Sequence, residues 1–137
     1  LNPNYIFVDT NILNGAYLGR KTDMDCLRYL YSLQGKRLYI SALTIGQFVA
    51  FFQNRKWTNE KIKNTVKYIA TKFNIVEFNS MDLEYSLSLP YSDMEDAIQF
   101  AISAKVKCYY FVTNDKGFSE ILDVDVLKSK EIRAIRK

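Results

Sequence analysis

The chain contains no histidine, and this removes a large part of enzyme chemistry at the outset. Serine and cysteine hydrolases that rely on an imidazole base are excluded, as are zinc sites built on imidazole. Acid–base or metal chemistry must rest on carboxylates, lysines, tyrosines or water. Cysteine is scarce too. Cys26 and Cys108 lie far apart among apolar neighbours, which is neither a metal-knuckle spacing nor a disulfide framework, so both are expected to be buried thiols behaving as small hydrophobes. Five glycines and two prolines leave no low-complexity stretch, linker or internal repeat, and phosphate-binding Gly-rich loops are missing. No run of about 18 apolar residues offers a membrane span, and residues 1–5 lack the basic and apolar regions of a signal peptide. A cytoplasmic protein with no membrane partner is expected.

What is present is a chain of 137 residues, 48% hydrophobic, long enough to bury a core as one domain over residues 1–137. Its net charge of +4 is unevenly placed. The last ten residues carry Lys128, Lys130, Arg133, Arg136 and Lys137 against Glu131, and five minus one equals the whole net charge. Such an end reads either as a phosphate-tracking tail or as a solvated helix end.

Apolar patterning alternates between strand and helix. Residues 5–8 form a short β-branched and aromatic run ending at Asp9, which suits a buried strand. Met24, Leu27, Leu30 and Tyr31 recur at helical spacing over residues 23–33, with Gly35 as a helix stop. Residues 37–40 read as a second strand, followed by Ser41 and Thr44 as candidate caps of a helix carrying Ile45, Phe48, Val49 and Phe52. Thr58 opens another helix, residues 74–78 look like a third strand, and residues 80–89 a short helix ended by Pro90. Ser92 begins a further helix, and residues 108–113 and 124–127 supply a fourth and a fifth strand. Strands separated by helices imply an α/β fold with a parallel sheet covered on both faces.

In such sheets ligands bind beyond the carboxyl ends of the strands, so the residues just after each strand matter most. Here those positions are acidic or polar: Asp9-Thr10-Asn11 after the first strand, and Thr113-Asn114-Asp115 after the fourth. Asp93 and Asp96 open the intervening helix. Each acid has a structural explanation as well. Asp9 can cap a helix beginning near Asn11, Ser92 with Glu95 forms a capping box, and Asp115 can start a turn before Gly117. Capping accounts for Glu95 and Asp93 but poorly for Asp96, a weak helix former that repels Asp93. Three or four carboxylates at one sheet edge repel one another unless a cation sits among them. Oxygen-only ligands suit Mg²⁺ or Mn²⁺, which polarise a phosphate and lower the pKa of bound water.

Residues 5–13, YIFVDTNIL, resemble the opening signature of the PIN domain family, which includes the VapC-type toxins of bacterial toxin–antitoxin modules. SALTIGQF at 41–48, SDMEDAIQFAISA at 92–104 and VTNDKGF at 112–118 are similar to that family's later motifs, in the same order. The resemblance implies a three-layer PIN-like fold with about five parallel strands and a metal-dependent endoribonuclease site. In it Asp9, Asp96 and Asp115 would be metal ligands or water-positioning acids, Asp93 a supporting acid, and Asn11 and Thr113 hydrogen-bonding neighbours. It also implies a homodimer and a cognate antitoxin that blocks the site.

Two positions depart from the family pattern. Gln47 stands where a glutamate is usual, so the carboxamide can accept a hydrogen bond from a metal-bound water but brings no charge and no base. The alternative reading is therefore a weakened PIN domain that binds RNA or protein without turnover. Gly117 replaces a frequent aspartate, with an expected effect on loop shape more than on chemistry. Other three-layer families fit worse: a haloacid-dehalogenase-like site needs an aspartate where Asn11 stands, and a receiver domain needs one after the third strand, where the chain has Phe78-Asn79-Ser80. Among the many aromatics, Tyr17, Trp57, Tyr85 and Tyr91 fall near loops and are candidates for base stacking or partner contact.

Overall fold

The computed structural model describes residues 1–91, 93–118 and 123–137. Strands β1 (Asn2–Val8), β2 (Arg37–Ser41), β3 (Asn74–Val76), β4 (Cys108–Val112) and β5 (Asp125–Leu127) form one sheet in the order β3-β2-β1-β4-β5. Every neighbouring pair is parallel. Helices α1 (Thr10–Leu18) and α2 (Lys21–Ser32) join β1 to β2, and α3 (Ala42–Asn54) and α4 (Asn59–Lys72) join β2 to β3. The third connection, α5 (Ser80–Leu87) and α6 (Met94–Lys105), crosses back over β1 to β4. Parallel crossovers are right-handed, so reversing direction puts α5 and α6 on the opposite face. The fold is the covered parallel sheet that the alternation of elements implied, in the three-layer form that the family resemblance implied.

The central strand shows why its sequence reads as continuously apolar. Ile6 and Val8 point into the core shared with α1 to α4, while Phe7 points into the core shared with α6, so over residues 6–8 neither face of β1 meets water. Phe7 stacks on Phe111 at 5.2 Å between ring centroids, and Phe111 on Phe118 at 4.5 Å. Cys26 and Cys108 are buried free thiols, as expected, and burial pushes each up to about 12.

Several boundaries differ from the sequence reading, each for a local reason. β1 starts at Asn2 because the Asn2 amide pairs with the Lys107 carbonyl at 2.9 Å. β3 ends at Val76, not Phe78, because its sole partner β2 ends at Ser41, which pairs with Val76. α2 stops at Ser32, before Gly35, which takes φ +73° in the turn into β2. α5 ends at Leu87, ahead of Pro90. Ser41 alone caps α3, its hydroxyl accepting from the Thr44 amide at 3.0 Å, a contact worth about 1 kcal/mol. Thr44 is instead fully buried in the first turn of α3.

At the basic end Lys128, Lys130, Arg133, Arg136 and Lys137 are exposed, as a solvated end requires, but the segment is also packed down. A 3₁₀ turn (Ser129–Ala134) buries Ile132, and Ile135 is buried beyond it; the Tyr29 hydroxyl of α2 donates to the Ile135 carbonyl at 2.6 Å. Arg133 and Lys137 lie over the Tyr29 ring. Of the aromatic candidates, Tyr17 meets Phe48 edge-on, Trp57 lies 4.1 Å from Phe52, and Tyr91 packs on Phe100 and Phe118. Tyr85 is half exposed.

One glycine sets the spacing of α1 and α2. A Cβ at Gly15 would run into the Asp23 side chain, 2.8 Å from its carboxyl carbon. Gly15→Ala is expected to lower stability by about 1–3 kcal/mol through overpacking, read as an earlier midpoint in urea unfolding. An unchanged midpoint would mean that the two helices separate freely.

Candidate active site

The chain turns outward from β1 to β2 and β3, then returns to β4 on the other side, so the direction of winding reverses between β1 and β4. A crevice opens beyond the carboxyl ends of strands at such a reversal. A cleft of about 490 Å³ lies there, lined by Asp9, Asn11, Gln47, Glu95, Asp96 and Asp115, together with Thr10, Asn14, Ala50, Phe51 and Gln99.

Asp9 leaves β1 in extended conformation and caps α1, accepting from the Thr10 amide at 2.8 Å. Its second oxygen accepts from the Thr113 hydroxyl at 2.8 Å and from Asn11 Nδ2 at 3.1 Å. The cap expected from sequence and the place in the cleft therefore coexist, one oxygen serving each. Thr113, almost fully buried after β4, also accepts from the Asp115 amide at 3.0 Å. Asn11 and Thr113 thus tie the ends of β1 and β4 together.

Asp96 arrives from the first turn of α6 and faces Asp115 across the space left by Gly117. A Cβ there would lie 2.7 Å from Asp96 Oδ2 and 3.3 Å from Asp115 Oδ1. Gly117, expected to affect loop shape more than chemistry, also leaves the space that the acids occupy. Burial raises Asp96 to about 7, reinforced by the hydrogen bond and charge of Asp115 and by the charges of Asp93 and Asp9. Burial likewise raises Asp9 to about 6; its bonds from Thr113 and Thr10 oppose the shift, and the charges of Asp115 and Glu95 add to it.

Asp93 does not line the cleft. Its carboxylate accepts from the Asp96 amide at 3.1 Å and caps α6. Ser92, read as the start of that helix and half of a capping box, lies outside the described residues. Glu95, assigned to that box, instead faces the cleft and accepts from Gln47 Nε2 at 3.1 Å. The Gln47 oxygen is engaged as well, accepting from the Thr10 hydroxyl at 2.6 Å with one of its two lone pairs. Behind them Gln99 donates to the Thr10 and Thr44 hydroxyls at 3.1 and 2.9 Å.

Sequence reasoning missed Glu95, Gln99, Asn114 and Asp23. Gln99 carried a readable signal: it is a lone amide in the apolar run Ala97 to Ile102, three and four residues from Asp96 and Glu95 and so on their helix face. Asn114 and Asp23 gave none, because they meet only in the fold. Asn114 Nδ2 donates to the buried Asp23 at 2.9 Å, and its oxygen accepts from the Ser129 amide and hydroxyl, anchoring the loop that carries Asp115. The aromatic in the cleft is Phe51, not Tyr17, Trp57, Tyr85 or Tyr91.

No three carboxylates among the described residues are already drawn around one point as a cation cage. The donor set nevertheless suits a hard cation. Mg²⁺ is commonly held by one or two carboxylates, with waters and phosphate completing the shell. Asp96 and Asp115 offer such a pair, and the charge of Asp115 that helps to raise Asp96 is the repulsion that a cation would relieve.

The PIN domain family model matches residues 6–123. The chain belongs to the PIN domain family. Ribonuclease VapC1 of Aquifex aeolicus is 23% identical, the match covering 96% of this chain and 94% of that protein. Among solved structures, a toxin–antitoxin complex from Klebsiella pneumoniae superposes with a TM-score of 0.71 at 22% identity, over 92% of this chain and 98% of that one. VapC20 of Mycobacterium tuberculosis, described as a toxin cleaving the sarcin–ricin loop, gives 0.64 at 15% identity, over 88% and 98%. The strands and helices of this PIN domain thus follow a shared fold, and its acids stand at the strand ends.

The raised carboxyls give this site a pH signature. Asp9 and Asp96 hold protons in the folded state that the unfolded chain releases near 3.8, so their contribution to stability is full below about 4 and is lost as pH rises through about 6 and 7. Asp96→Asn removes one of these groups. Without divalent cation, its melting temperature is expected to gain on the wild type between about pH 5 and pH 8. A constant difference across that range would contradict the assignment.

Proposed function

We propose that this PIN domain is a metal-dependent endoribonuclease that cleaves RNA phosphodiester bonds and serves as the toxin of a toxin–antitoxin module. The observation that carries the reading is the convergence of Asp9, Asp96 and Asp115 on one open cleft beyond the strand ends. An arrangement so costly without a cation suits one that works with it. The names of the relatives, a ribonuclease and an RNA-cleaving toxin, supply the substrate class.

In this reading Asp9, Asp96 and Asp115 are the acids that hold Mg²⁺ or Mn²⁺ or position the attacking water. The cation supplies positive charge to the phosphate and acidifies the water that attacks it. Asn11 and Thr113 keep the Asp9 carboxylate from rotating, which fixes the oxygen available to the cleft. Asp93 acts indirectly, by capping the helix that presents Asp96. The likeness to toxin–antitoxin complexes supports a cognate antitoxin; its seat over the cleft and a homodimer are further parts of the proposal. No helix among the described residues is long and apolar enough to cross a membrane, which agrees with work on RNA in the cytoplasm.

The test is cleavage of a mixed RNA pool by the purified chain. EDTA should stop it, and Mg²⁺ or Mn²⁺ should restore it. Asp96→Asn should lower the rate at least ~100-fold while circular dichroism shows an intact fold. Cleavage that survives EDTA, or an Asp96→Asn variant as fast as the wild type, would refute the proposal.

A further inference from the structure

Gln47 and Glu95 form a pair whose polarity is dictated from below. The Gln99 amide can only donate, and it donates to both the Thr10 and Thr44 hydroxyls. The Thr10 proton is then directed to the Gln47 oxygen at 2.6 Å, which leaves the Gln47 amide protons facing outward to Glu95 at 3.1 Å. Turning the amide over would set its oxygen against a carboxylate. A glutamate at position 47 would do the same with a full charge. The site therefore accommodates one amide and one acid at these two places, and the acid stands on α6 instead of α3.

We propose that Glu95 supplies to the cation site the carboxylate charge that position 47 lacks, and that Gln47 is the positioning residue that holds it there. This rests on the metal-dependent reading of the cleft. Glu95 is exposed at the cleft beside Asp96, so it can meet a cation or its waters without the cost of burial. A separate sign that the cleft is built around something the chain does not provide comes from Gln99. It is 2% exposed and lines the cleft, yet its Oε1 has no donor. Because the pair is one acid and one amide in contact, the two side chains should be exchangeable.

The probe is Mn²⁺ alone, titrated calorimetrically into the wild type, Glu95→Gln and the exchanged double variant Gln47→Glu/Glu95→Gln, with RNA cleavage measured in parallel. Glu95→Gln keeps the shape and an acceptor for the Gln47 amide, so only charge is lost. Its affinity for Mn²⁺ is expected to fall at least ~10-fold, and the exchanged variant to recover to within ~3-fold of the wild type. Glu95→Ala, which introduces no new amide, gives the same reading if Glu95→Gln does not fold. Wild-type affinity in Glu95→Gln overturns the proposal, as does an exchanged variant no better than the single one, while loss of binding in Asp96→Asn would leave the metal reading standing. A wild type that neither binds Mn²⁺ nor cuts RNA overturns both.

Discussion

Two carboxylates held to one cleft, Asp96 and Asp115, are a costly feature of this molecule, and much of the surrounding structure serves to keep them there. Left alone, they would move apart, and burial already raises Asp96 to about 7. What prevents separation is that each is anchored independently. Asp96 sits on the first turn of a helix capped by Asp93, and Asp115 sits in a loop pinned through Asn114 to Asp23 and Ser129. Gly117 provides the room between them.

A second set of restraints works through neutral groups. Ser41, Thr44, Thr10, Gln99 and Gln47 form a buried chain of hydrogen bonds joining α1, α3 and α6 under the cleft. Such a chain costs less to bury than charges and has a direction, because an amide nitrogen can only donate. That direction reaches the surface at Glu95. Stability and chemistry are therefore hard to separate here: the bonds that register the helices against the sheet also orient the acids.

Much of the architecture was legible beforehand because strand and helix periodicity are local properties of the chain. Tyr5-Ile6-Phe7-Val8 reads as a two-faced buried strand from its composition alone, and it proved to be the central one. The same local logic misjudged ends. Nothing near Phe78 announces that β2 has already run out of backbone to pair with β3. It read Asp93 correctly as a capping acid but misjudged Glu95, which turns to the cleft to meet Gln47, a side chain distant in the sequence.

By itself, then, the sequence determined the order of elements and the parallel sheet, since these follow from apolar spacing, and it offered Asp9, Asp93, Asp96 and Asp115 as candidate acids from their positions at strand ends and helix starts. The tertiary structure alone decided how those acids meet and who holds them. Asp9 owes its orientation to a hydroxyl 104 residues away, and the Gln47–Glu95 contact spans 48. Hydrogen bonds between side chains so far apart leave no mark in local spacing, because their partners are chosen by the packing of α3 and α6 across the end of β1.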